Sequence, residues 1–425
     1  MVMMELVPGV HLHVLPNRDF ATTHIQLNFT QTLDQAQVGS RVLASNMVET
    51  VSANLPSQRL MAQAQSKLYG ADFSVDVLKT GQLHTVRASL ILPNDEYLPE
   101  HATVLPDGLD FLRATLLEPM GDPENGFDPT IFNRQKEIAL DELAGLQEDR
   151  QYFALRQAMQ SYFAKSEQAL PAFGSAELLE AVDQKQAYEA WQLMLANDRV
   201  DIIVFGNVDE ALIMTAFKKW RWSARTPELT LEYSQPLLAT AKDQSVQLPD
   251  VSQARLVLGY QLVVAKPDRF IAYVFNTLFG GHAISRLFMN VREEAGLAYA
   301  ISSDYNLYTG LLLVEAGVEV EQLTEVKRRI AAELARLQTE LVESDELATI
   351  KRIMMADYSL ALDQPSRIIE REFVQALTGQ FTTSDQWLAA VEAVTAQDIQ
   401  RIAQATQLQL NYELIGGNQD ATSNA

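Results

Sequence analysis

The order of expected elements repeats once along the chain, and a repeat of that length leaves few folds open. Apolar alternation and three-to-four spacing give strands Gly9 to Leu15 and His24 to Thr30, helices Gly39 to Val51 and Ser57 to Leu68, then strands Phe73 to Leu78 and Leu83 to Leu92. Helices follow at Gly108 to Leu117, Phe132 to Gln147, Gln151 to Phe163 and Gln184 to Leu195, and strand Arg199 to Phe205 closes the first half. The second half begins with strand Ala254 to Leu262, helices Arg269 to Leu278 and Ala283 to Glu294, and strands Ala298 to Tyr305 and Leu311 to Val318. It continues with helices Glu321 to Leu341, Ser344 to Tyr358, Pro365 to Leu377 and Ala396 to Ala403, and ends with strand Gln407 to Leu414. Tyr69-Gly-Ala-Asp-Phe-Ser74 and Ala295-Gly-Leu-Ala-Tyr-Ala300 stand at the same helix-to-strand junction in the two halves, the mark of a duplication. The expected class is α+β: two homologous halves, residues 1–220 and 250–415, each a mostly antiparallel sheet flanked by helices. Residues 221–249 contain Pro227, Pro236 and Pro249 with little helical periodicity, and read as a linker. The tail 416–425 is small and polar and is expected to be disordered.

The segment Leu278-Phe-Gly-Gly-His-Ala-Ile-Ser-Arg-Leu-Phe-Met-Asn-Val-Arg-Glu-Glu-Ala-Gly-Leu-Ala-Tyr-Ala-Ile-Ser-Ser303 carries the most specific chemistry. A glycine turn opens it, a short amphipathic helix carries Arg286, Leu287, Val291 and Arg292, and Gly296 ends that helix before a strand presenting Tyr299. The run resembles the Gly-Gly, Ser-Arg-Leu, Val-Arg-Glu and Gly-Leu-Ala-Tyr signature in the C-terminal half of the insulinase, pitrilysin and mitochondrial processing peptidase family. The resemblance is strongest from Val257 to Val318, moderate from His24 to Leu92 and weak through the N-terminal helices. It implies two halves that close like a clam shell. It also implies that Gly280, Gly281, Arg292 and Tyr299 face a substrate chamber, where Arg292 and Tyr299 bind the peptide backbone and stabilise the developing oxyanion.

Active members of that family carry an inverted motif, His-x-x-Glu-His, on a helix of the first half, with a further glutamate downstream. The equivalent helix here reads Asn46-Met-Val-Glu49-Thr50, so Asn46 and Thr50 replace both histidines and Glu49 keeps the general-base position. Glu142 is the candidate third ligand, and Gln135 stands where active relatives keep a second acid. Imidazoles at i and i+4 clamp zinc from one helix face. An amide oxygen and a neutral hydroxyl are too weakly basic to replace them, so no zinc is expected on this chain. Without the ion, Glu49 is a vestigial base with no activated water to deprotonate.

The six histidines, His11, His13, His24, His84, His101 and His282, offer no replacement motif, although His11 and His13 share a strand face with His24 near by. There is no cysteine, which removes thiolate ligands, disulfides and cysteine nucleophiles together. The 33 basic and 55 acidic residues give a formal charge of −22, which disfavours nucleic acid and anionic membrane as partners. No basic start leads into an apolar core, so cytoplasmic residence is the default expectation.

In the family the work is often divided: one chain keeps the zinc motif and its partner keeps the arginine and tyrosine. The resemblance therefore implies a non-catalytic subunit of a heterodimeric zinc-dependent peptidase, with zinc only in a partner of the same family and peptides as substrates. Two alternatives stand beside it: a stand-alone peptide-binding or assembly protein, and an active metallopeptidase with an atypical metal site.

Overall fold

The computed structural model describes residues 2–99, 102–249 and 251–417. Strands run at β1 (Val2–Val7), β2 (Val10–Pro16), β3 (Thr22–Thr32), β4 (Asp72–Thr80), β5 (Leu83–Pro93), β6 (Gly121–Asp122) and β7 (Gly126–Phe127). They continue at β8 (Arg199–Gly206), β9 (Lys242–Leu248), β10 (Ala254–Gln261), β11 (Ala300–Asn306), β12 (Leu311–Val318) and β13 (Gln407–Gly416). Period-two patterning is clean in β11, where Ile301, Ser303 and Tyr305 are buried and the residues between them are exposed.

Among the described residues, the strands form a six-stranded sheet in the order β1-β2-β8-β3-β5-β4 and a five-stranded sheet in the order β9-β13-β10-β12-β11; β6 and β7 pair separately. The two large sheets superimpose in topology. In each, a parallel pair (β2 with β8, β9 with β13) is followed by antiparallel neighbours in the same order. The junction noted in the sequence is matched too: Gly70 and Gly296 both take left-handed backbone, φ 79° and 63°, at the end of their helices. The chain is α+β with two homologous halves, as its element order indicates.

The compact units depart from a simple cut in the sequence. One unit comprises the described residues up to Ala144 with Leu170–Leu231 and Leu362–Phe381; the other comprises Gly145–Ala169, Glu232–Ala361 and the described residues from Thr382 onward. Each half thus donates a helix to the other's sheet, and the boundaries 1–220 and 250–415 are corrected accordingly. The linker reading of 221–249 is corrected as well, because Lys242–Leu248 is a strand pairing in parallel with β13. Its polar residues alternate without an apolar face, since it is an edge strand and mostly exposed. The tail read as disordered lies, from residue 418, outside the described residues, while Gly416 ends β13.

In the first unit, one face of the sheet buries Leu12, Val14, Ile25 and Leu27 against Leu43, Met47 and Val48 of the helix Gln35–Thr50. The other face packs Ile203 and Phe205 of β8 against Ile369 and Phe373 of the helix Pro365–Thr378. In the second unit, the helix Leu323–Thr339 buries the stripe Leu323, Val326, Ile330, Leu334 and Leu337, as its spacing requires. The helix Arg150–Tyr162 covers the opposite face, placing Ala154, Ala158 and Tyr162 on Val257, Leu410 and Tyr412.

Candidate functional site

The helix Gln35–Thr50 begins at Asp34, whose carboxylate caps the Ala36 N–H. It is anchored by a buried polar group upstream of the candidate residues. Arg41 pairs with Asp198 at 2.8 Å and donates from Nε to His84 Nδ1 at 3.0 Å, and His84 Nε2 donates to the Ala172 carbonyl at 2.9 Å. Burial, reinforced by the Arg41 charge, lowers the His84 pKa to about 3, so the ring is neutral.

This anchoring sets the last turn, where Asn46, Glu49 and Thr50 are half-buried. The Thr50 hydroxyl donates back to the Asn46 carbonyl at 2.7 Å, which turns its oxygen into the helix. Glu49 accepts the Val75 N–H at 3.3 Å. Its pKa is raised, first by burial and then by the charges of Asp76, Asp72 and Glu142. Glu142 is exposed on the helix Pro129–Glu148 and is the last of these influences on Glu49. Gln135 lies on the same helix seven residues earlier, half-buried.

The donor set does not fit zinc. It offers an amide, a hydroxyl already used within the helix, and carboxylates with no imidazole among them. Among the described residues, no three histidine, aspartate or glutamate side chains are grouped so as to hold a metal. His13 is buried and ion-paired to Glu372 and Asp201, His24 sits 3.0 Å from the Thr22 hydroxyl, and His282 Nδ1 accepts the Ile284 N–H. His101 lies outside the described residues.

In the second unit, the predicted helix 283–294 winds more widely than an α-helix. Phe288–Glu293 forms a π-type turn, with Glu294 N–H bonded to Met289 and Leu297 N–H to Val291. A second wide turn, Thr277–Gly281, contains the glycine pair. Leu287 and Val291 are fully buried, while Met289 is exposed and Arg292 has 40% of its side chain open to solvent. The Arg292 guanidinium lies 4.5 Å from the Phe288 ring centre and 3.7 Å from Glu293. Tyr299 is 60% exposed, just before β11, and its N–H bonds to Gly317. Its hydroxyl donates to Glu319, and that carboxylate raises the Tyr299 pKa. Arg292 and Tyr299 thus belong to one module and both reach solvent.

Gly280 has a packing role. A Cβ there would stand 2.7 Å from Ser303 Oγ and 3.0 Å from Leu287 Cδ1, so only glycine lets the turn close on β11. At Gly281 a Cβ would meet Asn276 Nδ2 at 2.6 Å. Arg286 is held by Glu346 through two 2.8 Å hydrogen bonds. Sequence reasoning missed Glu319 and Glu346, because nothing in their spacing marks them as partners of residues 20 and 60 positions away.

Comparison with known proteins bears on the same residues. The family model described as the peptidase M16 inactive domain matches residues 181–354. Probable inactive metalloprotease YmfF of Bacillus subtilis is 26% identical over 413 residues, covering 96% of each chain. The uncharacterized zinc protease YmxG of the same organism is 24% identical over 72% of this chain and 75% of its own. Among solved structures, a conserved protein from Enterococcus faecalis V583 is 31% identical with a TM-score of 0.91, covering 100% of this chain and 99% of that one. The peptidase M16 inactive domain from Pseudomonas fluorescens shares the fold, with a TM-score of 0.81 at 16% identity over 98% of both chains.

Proposed function

We propose that this chain, which belongs to the peptidase M16 family, is the non-catalytic subunit of a two-chain zinc peptidase. It contributes substrate-binding and oxyanion-stabilising residues to a chamber whose zinc is held by another polypeptide of the same family. The observation that carries this reading is an asymmetry within one chain. The positions for ligand histidines hold Asn46 and a Thr50 turned into its own helix, while the Arg292 and Tyr299 module is retained and open to solvent.

The two donors suit that role. A guanidinium and a phenol both donate hydrogen bonds, and neither needs a proton removed to stabilise charge growing on a carbonyl oxygen. Tyr299 must leave Glu319 to do so, because its only proton is engaged there. Glu49, with its raised pKa and no metal-bound water, serves no hydrolytic step on this chain.

The test is reconstitution. The purified chain is mixed with a family member bearing an intact His-x-x-Glu-His motif, and peptide hydrolysis is followed. Hydrolysis well above that of the zinc-bearing chain alone, lost roughly 100-fold with Arg292→Ala, supports the proposal. A mixture no faster than the zinc-bearing chain overturns it. Tight peptide binding by this chain alone, without hydrolysis in any mixture, points to the stand-alone binding reading.

A further inference from the structure

A groove of about 950 Å³ lies on the first unit, lined by one face of the helix Leu105–Leu117 and one face of the helix Glu210–Lys218 with the residues that follow. It shares no residue with Asn46, Glu49, Thr50 or Glu142 and goes beyond the proposed function. Its volume lies in the range of small-molecule sites.

Its lining is amphipathic. Leu109, Leu212 and Trp220 are its apolar lining; Leu212 is 42% exposed, whereas Leu109 and Trp220 are largely buried. Arg113, Lys219 and Arg221 line the same groove, and Asp110 is the carboxylate among the lining residues. Arg113 touches Glu118 only at 3.5 Å, between two side chains more than 40% exposed. Lys219 and Arg221 have no side-chain hydrogen-bond or ion-pair partner among the described residues.

Arg221 adds an independent observation. Its φ is 55°, one of two non-glycine residues with positive φ among the described residues. That backbone favours glycine, so an arginine there is held against its local preference.

We propose that this groove binds a small anionic amphiphile, with a carboxylate or phosphate head held by Arg113, Lys219 and Arg221 and an apolar body lying on Leu109, Leu212 and Trp220. The charge of the walls selects the head, and Lys219 and Arg221, which have no side-chain partner among the described residues, are available for it.

The full chain is titrated calorimetrically with decanoate, decyl phosphate and the neutral control decanol. Saturable binding of either anion, at least tenfold tighter than decanol, supports the site, and the tighter of the two identifies the head group. The Lys219→Glu/Arg221→Glu variant is expected to lose at least tenfold in affinity. Arg221→Gly separates binding from folding: it should raise the melting temperature by relieving the positive φ while weakening anion binding. Equal affinity for decanol, unchanged affinity in the charge-reversed variant, or no saturation by either anion overturns the proposal.

Discussion

His13 on β2 and Glu372 on the helix Pro365–Thr378 are 359 residues apart in sequence and 2.8 Å apart in space. Asp201, on the neighbouring β8, lies 3.8 Å from the other ring nitrogen and is itself held by Arg199 through bonds of 2.8 and 2.9 Å. Burial favours a neutral ring, but the two carboxylates outweigh it and raise the His13 pKa to about 9. The pair fastens the helix that the second half of the sequence contributes to the first unit.

Stability should therefore fall with alkaline pH. A folded pKa of about 9, above the ordinary histidine value of 6.5, contributes stability that is complete below pH 6.5 and lost as pH rises through 9. Thermal melts from pH 6 to 10 should show this decline. In His13→Gln the decline should flatten, with a cost of about 3 kcal/mol at neutral pH from the buried Glu372 carboxylate that loses its charged partner. A parallel decline in the variant would show that other groups control it.

Glu49 acts with the opposite balance. Its raised pKa means that ionising it opposes folding above the ordinary glutamate range and is without cost when it is protonated. Glu49→Gln should therefore stabilise the chain at pH 7 and leave it unchanged below about pH 4. The amide oxygen can still accept the Val75 N–H. Urea titrations at the two pH values check the sign; destabilisation at pH 7 would contradict it.

Zinc binding tests the register of the altered motif. The chain equilibrated with excess zinc and then desalted should retain none at stoichiometric level. Asn46→His/Thr50→His places imidazoles at i and i+4 on one helix face, with Glu142 as the candidate third ligand, and should retain about one ion per chain. Retention by the unaltered chain would overturn the ligand argument, and failure of the double variant would move the motif elsewhere on the helix.

Gly280→Ala should cost about 1–3 kcal/mol, because the added methyl collides with Ser303 and Leu287. Chemical denaturation measures it directly. A stable Gly280→Ala protein would free this glycine from the packing role.

Glu319 sets the availability of Tyr299. In the reconstituted mixture, Glu319→Gln should weaken the hold on the hydroxyl and preserve or raise turnover, whereas Tyr299→Phe lowers it. Equal losses in both variants would make the pair a structural unit.

Much of this was legible in the sequence. The run around Arg292 and Tyr299 and the one around Glu49 are local, yet the predicted strand Ala298 to Tyr305 begins only at Ala300 and leaves Tyr299 just ahead of it. The wide π-type turns were not legible, since Leu287 and Val291 satisfy an ordinary helical period. Strand β9 was hidden because an exposed edge strand needs no apolar face. The groove cations were hidden because residues 113, 219 and 221 line one groove only when two separate helices lie side by side.

The sequence by itself determined most of the elements and their duplicated order, and offered Asn46 and Thr50 as the altered ligand positions, because periodicity and residue chemistry act over a few positions. Only the tertiary structure decided which sheet each helix covers. The apolar stripes of Arg150–Tyr162 and Pro365–Thr378 specify that a face must be buried, yet hydrophobic burial has no direction of its own. The choice of partner rests on packing and on buried pairs such as His13 with Glu372, which exist only once distant segments meet.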